Sequence, residues 1–157
     1  MKALRLILFL FIPVCAFGQS ASQNGTEAGM ETLKSLLKSG AVAKVQVLHM
    51  PDSTLTRVAV TPQALRSIAS DTKTFDQNLG ATFDPMLTGI SAKRENHSPD
   101  LRWGVLFCDA QGHEIASLFV DKFGQHGYLN GETVSFDAGF LGTNLAKRLH
   151  KITGISR

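Results

Sequence analysis

The sequence has 157 residues, with 16 basic and 13 acidic side chains, five histidines and two cysteines. This length is typical of one domain, and a chain of this size can bury a core without metal or disulfide staples. Without the basic residues Lys2 and Arg5 of the N-terminal segment, 14 basic side chains face 13 acidic ones. So small an excess offers little attraction for phosphate backbones or anionic lipid, and we expect no nucleic-acid binding.

The N-terminal segment has the features of a secretory signal peptide. Its two basic residues precede an apolar run over residues 6–14, and a small-x-small pattern ends at Gly18. The run is much shorter than the roughly 20 apolar residues that span a bilayer, so we expect no membrane span. We predict cleavage near Gly18 (residues 1–18) and export to the periplasm or the exterior. Lipoprotein anchoring at Cys15 is the less favoured alternative, because Pro13-Val14 precede that cysteine.

The first part of the mature chain predicts a helix, a hairpin and a second helix. Residues 19–26 are small and polar and predict a flexible leader, followed by a single domain over residues 27–157. Apolar residues then recur at helical spacing until Gly40 (Met30, Leu33, Leu36, Leu37). Alternating residues 43–48 and 55–60, joined by a turn at Pro51-Asp52-Ser53, predict an antiparallel hairpin. Thr61-Pro62 predicts the start of a short helix with an inward stripe of four residues (Ala64, Leu65, Ile68, Ala69).

Residues 71–99 carry the weakest pattern. Asp84-Pro85 is a plausible start for a helix with Met86, Leu87 and Ile90 inward, although the same residues also suit an extended segment. The sequence leaves both alternatives open.

The last third of the chain predicts strands and a final helix. "LRWGVLFC" and "EIASLFVD" are apolar on both faces and predict central strands covered on both sides. Asn130-Gly131 predicts a tight hairpin, since both residues tolerate positive φ. A final helix is predicted with Asp137 as its cap, Gly154 as its end, and an apolar inward face (Phe140, Leu141, Leu145, Leu149, Ile152). The predicted fold is α+β, with about three helices packed on an antiparallel sheet.

The stretch "CDAQGHE", residues 108–114, combines a thiol, an imidazole and two carboxylates. Asp109 and Gly112 stand where a turn needs them, so the stretch predicts a bend between two strands rather than a reactive site. The functional alternative is a small hydrolase or redox enzyme that uses Cys108 with His113 or His126. With Cys15 removed, Cys108 is the one thiol left, and no internal disulfide is expected.

Other familiar chemical motifs do not occur in the sequence. The histidines show no HxH, HxxxH or HExxH spacing, and no G-x-S-x-G or phosphate-binding glycine loop is found in the mature chain. From the sequence we therefore expect no metal and no cofactor.

Aromatic residues interleaved with basic ones near strand ends are the residue types that anchor protein interfaces. They give a candidate binding set (Trp103, Lys122, Phe123, His126, Tyr128). Our leading hypothesis is an exported binding module that acts on another protein, as inhibitor, immunity factor or accessory subunit, with self-association as a variant. The alternatives are the cysteine-dependent enzyme and a carrier of a small apolar ligand.

Overall fold

The protein is described by a computed structural model, which covers residues 24–139 and 142–155. These residues form four helices and one sheet. The helices are α1 (Asn24–Ser39), α2 (Pro62–Ile68), α3 (Leu79–Leu87) and α4 (Leu145–Thr153). The strands are β1 (Lys44–His49), β2 (Asp71–Phe75), β3 (Ser91–Arg94), β4 (Leu101–Cys108), β5 (Glu114–Asp121), β6 (His126–Leu129) and β7 (Glu132–Asp137). The predicted α+β class with an antiparallel sheet is confirmed, with one helix more than expected.

All neighbouring strands of the seven-stranded sheet run antiparallel, in the order β2-β1-β4-β5-β6-β7-β3. The two strands predicted to be central, β4 and β5, occupy the third and fourth positions. Helices α1, α3 and α4 pack on one face of the sheet around the larger core cluster. Helix α2 covers β1, β4 and β5 on the opposite face, above a smaller cluster. Both faces of β4 are therefore buried, as its continuous apolar run predicts.

Helix α2 begins as its sequence predicts. The Thr61 side chain accepts a hydrogen bond from the backbone N–H of Ala64, and Pro62 occupies the first turn. Leu65 is buried against the sheet, whereas Ile68, predicted to face inward, is half exposed. Arg66 lies over the ring of Phe119 and binds the Glu114 carboxylate, which fixes the helix on the sheet.

The hairpin predicted over residues 43–60 is wrong in its second strand. Only β1 forms, and it pairs with β2 on one edge and β4 on the other. Because β2 and β4 occupy both edges of β1, residues 55–60 do not pair with it, and they form no regular structure.

The uncertain segment 71–99 contains β2, α3 and β3. The helix proposed to start at Asp84-Pro85 in fact ends there: Pro85 lies inside the last turns of α3, and Gly89 follows with a φ of 70°. Near the C-terminal end, Pro85 removes only one helical hydrogen bond, so the helix tolerates it. Met86, Leu87 and Ile90 are buried as proposed.

The hairpin at Asn130-Gly131 is confirmed, with φ values of 49° and 87° as a type I′ turn requires. The last helix starts later than predicted. Asn144 caps α4 by accepting from the Lys147 N–H, while Asp137 ends β7. Leu145 and Leu149 are buried and Gly154 ends the helix in the left-handed conformation, as predicted.

The N-terminal predictions fall largely outside the described residues, as do Phe140 and Leu141. The residues outside the description include the predicted signal peptide with Cys15 and residues 19–23 of the predicted leader. Helix α1 already begins at Asn24, although the leader was predicted to reach residue 26. Within residues 24–139 and 142–155, no helix combines the length and hydrophobicity that crossing a membrane requires.

Candidate functional site

The stretch "CDAQGHE" forms the predicted turn. One oxygen of Asp109 accepts hydrogen bonds from the backbone N–H groups of Gln111 and His113, at 2.9 and 2.8 Å, and Gly112 has a φ of 86°. Partial desolvation raises the pKa of the Asp109 carboxyl, the hydrogen bonds from His113 and Gln111 lower it, and the net shift is downward. The Asp109 carboxylate therefore serves the backbone of the turn.

Cys108 is buried at the end of β4, with 7% of its surface exposed. The exposed imidazole of His113 turns toward Asp109, with its Nδ1 atom 3.3 Å from the carboxylate. His126 follows the opposite end of β5 from Glu114, the residue that pairs with Cys108. The structure thus separates the thiol from His126 and gives His113 a carboxylate partner.

The five residues of the predicted binding set lie in three environments. Trp103 is buried on the face covered by α1, α3 and α4. Phe123 is 57% exposed on the turn after β5, with the Lys122 ammonium 4.7 Å from its ring centre. His126 and Tyr128 are partly buried on β6. The structure therefore leaves Phe123 as the exposed aromatic side chain of this set.

Trp103 belongs to a histidine cluster, which we define as His49, Asp71, Trp103 and His150; His49 and Trp103 are buried and the other two are partly exposed. The His49 and Trp103 rings are 4.1 Å apart, and His150 meets Trp103 edge-on at 4.7 Å. His49 Nδ1 lies 3.1 Å from the Asp71 carboxylate. Burial lowers the pKa of His49 against the opposing effect of Asp71. An imidazole held between aromatic rings and a carboxylate is a packing element of this end of the sheet.

Residues 51–59, which we call the tethered loop, carry the most exposed apolar side chains of the described residues. Leu55 is 96% exposed and Val58 is 77% exposed, whereas the flanking residues Met50 and Val60 are buried. Met50 N–H donates to the Arg102 carbonyl at 2.9 Å, and Val60 N–H donates to the Asp100 carboxylate at 2.9 Å. The loop is thus closed at its base and open at its tip. Sequence reasoning missed it, because its alternation resembles a strand.

Glu95, His97 and His126 form a second polar grouping, which we call the carboxylate–imidazole cluster. The Oε2 atom of Glu95 lies 2.7 Å from His126 Nδ1 and 3.4 Å from His97 Nδ1, and the two rings are 5.0 Å apart. The hydrogen bond from His126 is the main cause of a lowered pKa at Glu95, which is partly opposed by desolvation and reinforced by His97. Of these residues only His126 belongs to the predicted binding set. The spacing Glu95-x-His97 was the sequence signal for the other two, which lie on the short bent segment after β3.

The segment 95–100 connects the carboxylate–imidazole cluster to the base of the tethered loop. His97 lies three residues before Asp100, whose carboxylate holds the base of the loop.

Comparisons with protein-family models, with curated proteins and with solved structures find no match.

Proposed function

We propose that this chain is an exported binding module that acts on another protein, as inhibitor, immunity factor or accessory subunit, and that the tethered loop enters an apolar cleft of that partner. The observation that carries the proposal is the contrast between the exposed tip of the loop, Leu55 and Val58, and its buried, hydrogen-bonded base. Single exposed apolar residues are ordinary on protein surfaces, whereas two large ones in the same loop place apolar area where a partner can cover it.

The base of the loop supports a recognition role because it limits the freedom of the tip. Met50 and Val60 are both held to the segment 100–102, and the Leu101 N–H adds a third hydrogen bond to the Val60 carbonyl, at 3.1 Å. A loop closed in this way loses less conformational entropy on binding than a free segment of the same length. The scaffold behind it is the sheet covered by α2.

The composition of the loop favours an apolar, concave partner surface. Asp52 and Arg57 balance in charge, and the remaining polar residues are hydroxyl-bearing or small. Burying Leu55 and Val58 removes roughly 200 Å² of apolar surface from water at about 25 cal/mol per Å². A stable flat interface needs about 800 Å² on each side. Two side chains of this size can anchor a complex when a pocket of the partner surrounds them, because a few buried residues carry most of the binding energy of an interface. They bury too little surface for a symmetric contact of two copies through the loop alone.

Site-specific photo-crosslinking in the native host tests the proposal. A benzophenone amino acid replaces Leu55 in one variant and Phe123 in a matched control, because Phe123 is also an exposed apolar residue but lies on a different turn. We expect a discrete adduct with one other protein from position 55, lost when Val58→Asp is added, and none from position 123. An adduct with the mass of two copies, an adduct from position 123 alone, or none from either would overturn it.

The crosslinked partner then allows a quantitative test. We expect Leu55→Ala to weaken binding of the purified partner by about 30-fold or more, since a fully buried leucine contributes about 2 kcal/mol. Phe123→Ala should stay within threefold. Because Leu55 is almost wholly exposed, its substitution should leave the thermal unfolding midpoint unchanged. Equal affinity of the Leu55→Ala variant would refute insertion of the loop.

A further inference from the structure

The carboxylate–imidazole cluster joins two segments that lie far apart in the sequence. Ser135 of β7 pairs with Lys93 of β3 on one side and with His126 of β6 on the other. Glu95 continues from β3, and its N–H donates to the Thr133 carbonyl at 2.9 Å. Because Thr133 and Ser135 are small, the Glu95 side chain reaches across β7 to His126. Two of the three side chains thus sit on backbone fixed by the sheet.

From this convergence we propose that Glu95, His97 and His126 form a binding site for a divalent transition-metal ion of the Zn²⁺ type. One ligand atom from each residue lies within 4.8 Å of those of the other two. Two imidazoles and one carboxylate are a donor set that Zn²⁺ uses in proteins, with a fourth position left for water or a substrate. Mg²⁺ and Ca²⁺ prefer oxygen ligands throughout, so the two imidazoles select against them.

The distances are compatible with a tetrahedral ion after small side-chain rotations. Ligand atoms at 2.0–2.2 Å from zinc lie about 3.3–3.5 Å from one another. The Glu95 carboxylate oxygen stands 3.4 Å from His97 Nδ1, which already fits, and 2.7 Å from His126 Nδ1, a pair that must open by about 0.6 Å. Since all ligand atoms lie within 4.8 Å of one another, no pair has to close by more than about 1.4 Å. His97 is exposed on the segment after β3, so its ring is free to make this movement.

A cleft beside the cluster leaves room for an additional ligand on the side of Glu95 and His97. It has a volume of about 400 Å³ and is lined by these two residues together with the start of β7 and the segment between β3 and β4, whereas His126 lies outside its lining. Arg94 and Glu132 also line it and balance in charge. An ion held here would connect the segment after β3 to β6, two strands away. This proposal does not depend on the tethered loop or on its partner.

Calorimetric titration of the tag-free, metal-stripped chain with ZnCl₂ tests the site. We expect saturable binding of one Zn²⁺ per chain, weakened at least tenfold by His126→Ala and by His97→Ala. His113→Ala is the matched control, because His113 is also an exposed histidine beside one carboxylate but has no second imidazole there. Its affinity should stay within twofold of that of the unchanged chain.

Substitution by Co²⁺ gives a second readout, because its visible spectrum reports tetrahedral coordination by nitrogen and oxygen. We expect this spectrum in the unchanged chain and not in the His97→Ala, His126→Ala double variant. Thermal unfolding without metal checks that the variants fold, as their partly exposed side chains predict. Absence of saturable Zn²⁺ binding, or binding that the double variant retains, would overturn the proposal.

Discussion

Asp100 holds the base of the tethered loop, and its substitution should both destabilise the fold and free the loop. One carboxylate oxygen accepts from the Val60 N–H at 2.9 Å, and the other accepts from the Arg102 guanidinium at 2.8 Å. The Arg102 side chain is only 7% exposed, its Nε atom has no partner among the described residues, and its Nη1 atom meets only the Met50 sulfur, at 3.9 Å. Asp100 is therefore the charged partner on which buried Arg102 depends.

The two interactions of Asp100 can be separated by two substitutions. Asp100→Ala removes both: an unsatisfied buried N–H costs about 1–3 kcal/mol and a lost charged hydrogen bond about 1.5–3 kcal/mol. Since the Asp100 side chain is 44% exposed, solvent screens the ion pair, and we expect a total loss of about 2–4 kcal/mol. Asp100→Asn keeps an acceptor for Val60 and should cost about 1–2 kcal/mol.

Urea unfolding and hydrogen exchange measure these effects together. The free energy of unfolding should be highest for the unchanged chain, lower for Asp100→Asn and lowest for Asp100→Ala. The control Asp76→Ala replaces an exposed aspartate, and its free energy of unfolding should stay within about 0.5 kcal/mol of that of the unchanged chain. The Val60 amide should exchange faster in Asp100→Ala than in Asp100→Asn. Equal stability of the two variants, or an unchanged exchange rate at Val60, would refute the tether.

Further predictions concern burial, close packing and helix ends. Because burial lowers the pKa of His49, this residue takes up a proton in the unfolded chain at a higher pH than in the folded chain. The free energy of unfolding should therefore fall as the pH drops below about 6.5, by up to about 1.4 kcal/mol per pH unit. Unfolding measured at pH 7.5 and 5.5 should show a smaller difference in His49→Phe than in the unchanged chain. A Cβ at position 127 would lie 1.8 Å from the Phe119 carbonyl oxygen, so Gly127→Ala should lower stability by more than about 3 kcal/mol in urea unfolding. The Arg148 guanidinium donates to carbonyls at the end of α3, and Arg148→Ala should cost about 2 kcal/mol, measured by thermal unfolding. Iodoacetamide should modify buried Cys108 only after denaturation, which mass spectrometry would detect.

The parts of the fold that were predictable from sequence are those decided by local chemistry. The middle residues of strands β4 and β5 are apolar on both faces, which only a two-sided cover can bury, and Asn130-Gly131 permits the positive φ that its turn needs. The turn at Asp109 likewise depends on hydrogen bonds within five residues. Each of these features was confirmed because no distant residue was needed to choose between alternatives.

The errors arose where distant pairing decided the outcome. Residues 55–60 alternate as a strand does, but β1 takes β2 and β4 as partners and leaves them unpaired. Strand β2 is mostly exposed at the sheet edge, so it has no alternating apolar pattern to reveal it. The helical spacing of Leu79, Phe83 and Met86 indicates α3, whereas the Asp84-Pro85 pair resembles a helix start and suggests a later beginning.

The addition of His126 to Glu95 and His97 could not be predicted for a similar reason. Glu95 and His126 are 31 residues apart, and they meet because β3 joins the sheet beyond β7 rather than beside its neighbours in sequence. Spacing rules for metal ligands apply to residues close together in the sequence. Here the third ligand, His126, is brought to the other two by the order of the strands in the sheet. The expectation that no metal binds was therefore drawn from local spacing alone.

The size of α2 accounts for the position of this cluster. A helix of seven residues is about 10 Å long, whereas seven strands spaced by about 4.8 Å form a sheet about 29 Å wide. Helix α2 therefore covers β1, β4 and β5, and within residues 24–139 and 142–155 no second helix lies over β6, β7 and β3 on that face. These strands carry polar residues there, with Ser135 between Lys93 and His126. The imidazole of His49 and its carboxylate partner are enclosed by packing, whereas Glu95 and His126 lie on the face that α2 does not cover, where the proposed ion reaches them from solvent.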